Sequence, residues 1–364
     1  MKVHFLSLVN QNNGIKTQLF AAIDKISFIR GKDVSEFEKQ FHTLMQNSHC
    51  VSTGNGTDSL FISLKTLDTQ PGNEVLTPAF SCIPSSETIS LCNATPVFVD
   101  VDPQTYTLDP KLIESKITSK TKGIIAVHLY GQAAHISEIN AICKKHNLFL
   151  VEDCAQAHLT EENGKYVGTV GDAGAFSFYP TKNLGAYGDA GCIITDNDAL
   201  ADKMRRFANH GALEKDDHLI EGMNSRMDTI QAAVLLAKLP HLKQWNQQRR
   251  DNAKLYDTLL EDVNEVVTPF VRENTTHTFH IYAIRAQQRD ELKEFLLQKG
   301  IQTIVHYPKA LHNLPAYSRL NHKPEDFPVA NALQNEVLSL PIYPELTEEQ
   351  IRYVCSCIKE FYTN

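Results

Sequence analysis

Between about residues 50 and 196, short apolar runs alternate with stretches whose apolar residues recur at helical spacing. The runs that read as strands are CVST at 50–53, EVLTP at 74–78, PVFVDV at 96–101, GIIAVHLYG at 123–131, LFLVEDCA at 148–155, GAFSFY at 174–179 and GCIIT at 191–195. Helical patterns lie between several of them. In HISEINAICKKHN, Ile136, Ile139 and Cys143 share one face, and Lys144 and Lys145 fall in the last turns, where a cation suits the helix dipole. Strands alternating with helices predict an α/β domain: a mostly parallel central sheet flanked by helices. Sheets of that kind hold their ligands at the carboxyl ends of the strands.

After residue 196 the texture changes. SRMDTIQAAVLLAKL puts Met227, Ile230, Val234 and Ala237 on one helical face and then meets Pro240. A second helix is expected over about 242–261, followed by HTFHIYAIRA, a helix at 289–299, IQTIVHYP and a last helix at 347–361. This reads as a smaller C-terminal α+β domain joined through a long helix, giving a large domain over 1–245 and a small one over 246–364. An N-terminal helix offers Phe20, Ile23 and Ile26 for packing against either. No repeat or low-complexity tract interrupts the chain.

The length, 364 residues, fits two domains. With 35 Lys and Arg against 43 Asp and Glu, the net charge of −8 argues against nucleic-acid and anionic-membrane partners. MKVHFLSLVNQNNGIK lacks the features of a secretory leader, and the most apolar windows are strand-length, so a cytoplasmic protein is expected. The eight cysteines form no C-x-x-C pair and no Cys/His zinc spacing. Cys355 and Cys357 fall in the last helix with their side chains expected to face apart. Reduced thiols and no bound metal are the expectation.

Three segments carry candidate chemistry. Gly54-Asn55-Gly56-Thr57-Asp58 joins a strand to a helix, where backbone can approach a ligand and free N–H groups suit an anion; the plainer reading is a tight turn with Thr57 or Asp58 as N-cap. Asp153, in VEDCAQ, ends a strongly apolar strand and so reaches the ligand edge of the sheet, although a lone Asp there is commonly a local cap. Lys182, in SFYPTKNLGAYGD, follows a buried strand with little room for a solvated helix face. A lysine in a partly desolvated pocket has a lowered pKa and attacks carbonyls, whereas a single lysine is otherwise a surface residue. An anion-binding turn, an acid and a lysine in this order are what pyridoxal phosphate requires: a phosphate cradle, a partner for its ring nitrogen and a Schiff-base lysine.

The chain resembles the nucleotide-sugar aminotransferases of the DegT/DnrJ/EryC1/StrS family, fold-type I pyridoxal-phosphate enzymes. The resemblance runs through FIRGKDVSEFEKQF, GNGTDSL, PVFVDVDPQTYTLDP, HLYGQ, VEDCAQAH, SFYPTKNLGAYGDAG, NSRMDTIQAA and VHYP, in the family's order. It implies Lys182 as the Schiff-base lysine, Asp153 as the ring-nitrogen acid and Gln156 against the ring's 3′-oxygen. It implies Gly56, Thr57 and Ser177 around the phosphate, Phe80 on the pyridine face, and Asn224 reaching the phosphate of the other subunit in a homodimer with shared sites. Substrate contacts are implied near Phe28, Thr181, Tyr187, Arg226, His306 and Tyr307. Arg226 otherwise reads as a surface helix arginine, and His306 as an ordinary strand histidine.

Departures from the family pattern are small: Gly-Thr-Asp-Ser-Leu replaces Gly-Thr-Asp-Ala-Leu, and Gly188-Asp189-Ala190-Gly191 replaces Gly-Asp-Gly-Gly. Some relatives carry histidine at the lysine position and act as dehydratases, so Lys182 argues against that activity. The implied function is transfer of an amino group from L-glutamate to a nucleotide-linked keto-sugar, for an amino sugar of a surface polysaccharide, such as lipopolysaccharide O-antigen, or of a glycosylated metabolite. The loop after Lys182 resembles the Leu-Gly-x-Tyr-Gly-Asp of the branch that aminates C3. The alternatives are amination at C4 of a 4-keto-6-deoxy sugar, and a regulatory protein that binds the cofactor without turnover.

Overall fold

The computed structural model describes residues 1–23 and 27–363. Its centre is a seven-stranded sheet made of β1 (His49–Thr53), β2 (Glu74–Pro78), β3 (Thr95–Val99), β4 (Thr121–Val127), β5 (Phe149–Asp153), β6 (Ala173–Ser177) and β7 (Gly191–Thr195). The order across the sheet is β1-β7-β6-β5-β4-β2-β3. Only β7 runs against its neighbours. Successive residues of the parallel strands enter opposite cores. Val75, Ile125 and Val151 pack with Leu60 and Leu64, while Leu76, Ile124 and Leu150 pack with Ile136, Ile139 and Cys143. The expected α/β sheet is therefore buried on both faces.

The direction of the strands builds the ligand edge. Because β7 is antiparallel to both β1 and β6, those two run the same way, and β6 is parallel to β5. Their carboxyl ends, Thr53, Asp153 and Ser177, thus emerge on one edge. β7 starts at that edge, with Gly191 in register with both Thr53 and Ser177. A Cβ at 191 would lie 2.5 Å from the backbone carbon and oxygen of Asn55, so the third glycine-like position of the family pattern must stay glycine here. Ala190, where the pattern departs, is buried in the core without such a conflict.

Four helices matter for the site: α1 (Val9–Ile23), α2 (Lys32–Met45), α3 (Gly56–Thr66) and α4 (Ile136–His146). Two more follow, α5 (Thr229–Lys238) and α6 (Leu242–Leu260). α2 docks by an aromatic cluster, Phe37 and Phe41 against Phe176 and Phe178. The C-terminal residues build a second core on a three-stranded sheet of β8 (Val266–Val267), β9 (Tyr282–Ala286) and β10 (Val337–Leu340). Val3 joins that core.

Several local expectations are corrected. The run at 123–131 is a strand only to Val127 and then turns, with Tyr130 at φ 61°. Met227 precedes α5, and Ile230 is exposed, because α1 and α2 both pack on α5 and bury its other sides. α1 docks through Ile15 beside Val234 and Ala237, leaving Phe20 and Ile23 exposed; Ile26 lies outside the described residues. Cys355 and Cys357 are both buried, since the last helix is covered on two sides, and all eight cysteines are free.

Gly191→Ala should cost about 1–3 kcal/mol, because the backbone of Asn55 must move to admit a methyl group. Urea unfolding measures this. An unchanged midpoint would mean that the register of β7 does not constrain the turn at 54–58.

Candidate functional site

The edge built by β1, β5 and β6 opens on a cavity of about 600 Å³. Gly56, Thr57, Asp153, Gln156, Ser177 and Lys182 all line it. Each arrives there through its local chain geometry. Asn55, rather than Thr57 or Asp58, caps α3: its side chain accepts the Asp58 N–H at 2.8 Å. The first-turn N–H groups of Gly56 and Thr57 have no acceptor inside the helix and remain free for an anion. A Cβ on Gly56 would stand 2.6 Å from that of Ser177, so a side chain there would close the gap between helix start and hydroxyl.

Asp153 is 6 % exposed. One carboxylate oxygen accepts the Ala155 N–H at 3.0 Å, which is the local bond expected of a capping Asp. Among the described residues the other oxygen has no hydrogen-bond partner. Burial raises the carboxyl above its usual range, opposed by the Ala155 bond and the Lys182 charge. Such a group lacks a cation, and a protonated ring nitrogen is one. The Lys182 amine likewise makes no hydrogen bond or ion pair among the described residues. Burial lowers its pKa, against the opposing influence of Cys82 and Asp153. The donor set therefore fits pyridoxal phosphate at all three points: anion, amine-reactive carbonyl and ring nitrogen.

Gln156 is oriented from behind. Its Oε1 accepts the N–H of Tyr130 at 2.7 Å, which the left-handed backbone of Tyr130 aims inward. Its Nε2 is then directed to the Tyr307 hydroxyl, 2.9 Å away, as a donor. His306 bonds Ser339 Oγ at 2.9 Å, and burial, aided by the Lys182 charge, pushes its imidazole down to about 4. It is neutral at pH 7.

Other expected residues lie elsewhere. Phe80 is fully buried in the core and does not line the cavity. Ser81 and Cys82, which follow it, do, and Cys82 is the one exposed cysteine. The segment leaves β2 before Phe80, so strand alternation gave no signal for which side chain faces the cavity. Thr181 and Tyr187 are exposed; the Tyr187 N–H donates to Gln231 at 2.8 Å, and its ring covers Lys238. Asn224 and Phe28 are exposed. Arg226 lines a separate cavity of about 260 Å³ with Arg30 and Arg205. The two cavities share a wall, since Ser225 accepts the Gly54 N–H at 2.9 Å and donates to Asp58 at 2.6 Å.

His128, Glu152 and Cys154 form a buried cluster with metal-like spacing. The Glu152 carboxylate already takes the N–H groups of Gly168, Val170 and Gly171 and His128 Nε2, and His128 Nδ1 accepts from Ala134. These bonds brace β5 from behind.

The model of the DegT/DnrJ/EryC1/StrS aminotransferase family matches residues 10–359. A pleiotropic regulatory protein of Geobacillus stearothermophilus is 45% identical, covering 100% of this chain and 99% of its own. The UDP-2-acetamido-2-deoxy-3-oxo-D-glucuronate aminotransferase of Pseudomonas aeruginosa is 38% identical over 98% of this chain and 99% of its own. The crystal structure of S. venezuelae DesV in complex with a ketimine intermediate superposes with a TM-score of 0.97, at 35% identity, over 100% of this chain and 99% of that one. By family model, relatives and fold, this chain belongs to the DegT/DnrJ/EryC1/StrS aminotransferases.

Proposed function

We propose that the protein is a pyridoxal-phosphate aminotransferase that moves an amino group from L-glutamate to C3 of a 3-keto nucleotide-linked sugar. The observation that carries this is the shared cavity of Lys182, Asp153, Gln156, Ser177 and the start of α3. The Gly56 and Thr57 N–H groups and the Ser177 hydroxyl hold the phosphate. Gln156 donates to the ring's 3′-oxygen, in the orientation that Tyr130 imposes. Asp153 would keep the ring nitrogen protonated, and the chemistry the cofactor would supply when bound is an electron sink for the donor's Cα. Lys182 would hold the cofactor covalently and, once freed, its amine would carry the proton taken from the donor carbon, as base and then acid.

The 3-oxo sugar named for the Pseudomonas relative supports C3 as the acceptor carbon, as does the loop at 183–189. The name of the Geobacillus relative motivates a second reading, a regulator that holds the cofactor without turnover. The full set of cavity residues favours catalysis, because mere binding needs no proton shuttle.

A homodimer in the cytoplasm completes the reading. Phe28, Ile29, Leu219 and Ile220 are exposed apolar residues, and backbone pairing ties the first two to the segment after Arg226: Ile29 bridges Asp228 and the Thr229 N–H bonds Phe28 O at 3.0 Å. Covering this surface with a second copy would bring Asn224 to the partner's phosphate and Arg226 and Phe28 to its substrate, beside Thr181, Tyr187, His306 and Tyr307. Among the described residues no helix is long and apolar enough to cross a membrane.

Borohydride should fix the cofactor on Lys182, and Lys182→Ala protein should capture none covalently. The capture rate should rise with pH through a midpoint below 10.5, because burial lowers the amine's pKa and the neutral amine is the nucleophile. A midpoint at the ordinary lysine value would contradict the desolvated pocket.

Asp153→Asn should still capture the cofactor but slow its reaction with glutamate on the order of 10²-fold or more, a typical effect of losing one electrostatic stabiliser. Stopped-flow absorbance measures this, and a rate near that of the wild type would remove Asp153 from the mechanism.

Asn224→Ala should weaken cofactor retention by about 1.5–3 kcal/mol, the worth of a hydrogen bond to a charged group. Mixing Lys182→Ala with Asn224→Ala subunits should rebuild one intact site per heterodimer. Failure to regain activity after verified subunit exchange would count against shared sites.

A further inference from the structure

The backbone that carries Lys182 is held on both sides. Before it, the Lys182 N–H donates to Tyr179 O at 2.8 Å. After it, Asn183 turns away from the cavity and is 3 % exposed. Its Nδ2 donates to Asn246 Oδ1 at 2.9 Å and to Thr278 O at 3.0 Å, and its Oδ1 accepts from His280 Nδ1 at 3.2 Å. The carbonyl of Thr278 fixes the orientation of the amide, and both of its N–H groups are used.

Each partner is itself anchored. Asn246, buried on α6, donates to His158 O at 2.8 Å. The Thr278 N–H donates to Gly131 O at 3.0 Å, and its hydroxyl meets that of Thr160 at 2.9 Å. Gly131 follows Tyr130, whose N–H orients Gln156. One buried polar chain therefore supports two sides of the cavity, the lysine through Asn183 and the glutamine through Gly131 and Tyr130.

We propose that Asn183 is a positioning residue that holds the Lys182 amine in the desolvated cavity, acting through Asn246 of α6 and Thr278. A lysine side chain has four rotatable bonds and a strong preference for water, so nothing in the side chain keeps it inside. Fixing the backbone on both flanks removes the movement by which it would reach solvent. Neither the relatives' names nor the cavity lining assigns Asn183 or Asn246 a part. The inference rests on Lys182 being the residue that attaches the cofactor.

The test uses the full-length protein stripped of cofactor and pyridoxal phosphate as the probe. Three quantities are read: the rate of covalent capture by visible absorbance, its pH midpoint, and the modified lysine by borohydride fixation and peptide mass mapping. Asn183→Ala should slow capture by tenfold or more and move the midpoint up toward 10.5, as the amine gains access to water. Asn246→Ala, which leaves Lys182 and its neighbours in place, should shift both in the same direction by less. The double variant should be no slower than Asn183→Ala, since the two residues act through one bond.

A purely structural role would lower the urea midpoint and leave the pH midpoint where it is in the wild type, which would overturn the proposal. So would Asn183→Ala capturing at the wild-type rate, or the two effects multiplying. If Asn183→Ala does not fold, Asn246→Ala decides alone, and an unchanged rate and midpoint for it overturns the proposal. Lys182→Ala separates the two failures: capture by that variant would defeat the lysine assignment itself, whereas its silence beside a wild-type Asn183→Ala defeats only the positioning role.

Discussion

The site depends on the pairing of one reversed strand. β7 lies between β1 and β6, antiparallel to both, and so forces those two strands to end on the same edge. Without that pairing the turn after β1, which offers the anion-binding N–H groups, and the loop after β6, which carries Lys182, would have no reason to meet. Gly191, the first residue of β7, pairs with the last residues of both strands, Thr53 and Ser177, and has no space for a methyl group beside Asn55. A backbone constraint at one position thus bears on the distance between the turn at 54–58 and the loop of Lys182.

Burial does the chemical tuning. The same removal from water that lowers the Lys182 pKa raises that of Asp153, because each charged form loses more in hydration than its neighbours return. The amine becomes a usable nucleophile, and the carboxyl becomes a strong acceptor for a cationic ring. Neither shift needs a special residue. Both follow from placing a charged group at the end of a buried parallel strand, or in the loop that leaves one.

Much of this was legible in the sequence because buried parallel strands are apolar at nearly every position, so their ends are well marked. Asp153 and Ser177 lie within two residues of the ends of such runs, and Lys182 follows one at a short distance. Features that depend on loop conformation were not legible. Phe80 and Cys82 lie just past β2, where no periodicity says which side chain turns inward. The cap on α3 falls to Asn55 because its extended backbone lets its side chain reach the Asp58 N–H. Ile230 fits the helical stripe yet is exposed, because α5 is buried on sides that the stripe does not mark. Tyr130 lies inside an apolar run that reads as strand, and although Gly131 beside it marks a turn, nothing in the sequence says that Tyr130 itself adopts the left-handed backbone that orients Gln156.

In the proposed reaction this cavity passes nitrogen from glutamate to a sugar carbon. Incubating the holoenzyme with ¹⁵N-labelled glutamate and paired 3-keto and 4-keto nucleotide sugars, UDP- and dTDP-linked, tests it in one experiment read by NMR of the sugar product. The expected result is ¹⁵N bonded to C3 of a 3-keto substrate and 2-oxoglutarate released in equal amount. Label bonded only to C4 would contradict the acceptor carbon, and no label in any sugar with a fully loaded cofactor site would contradict the aminotransferase reading itself.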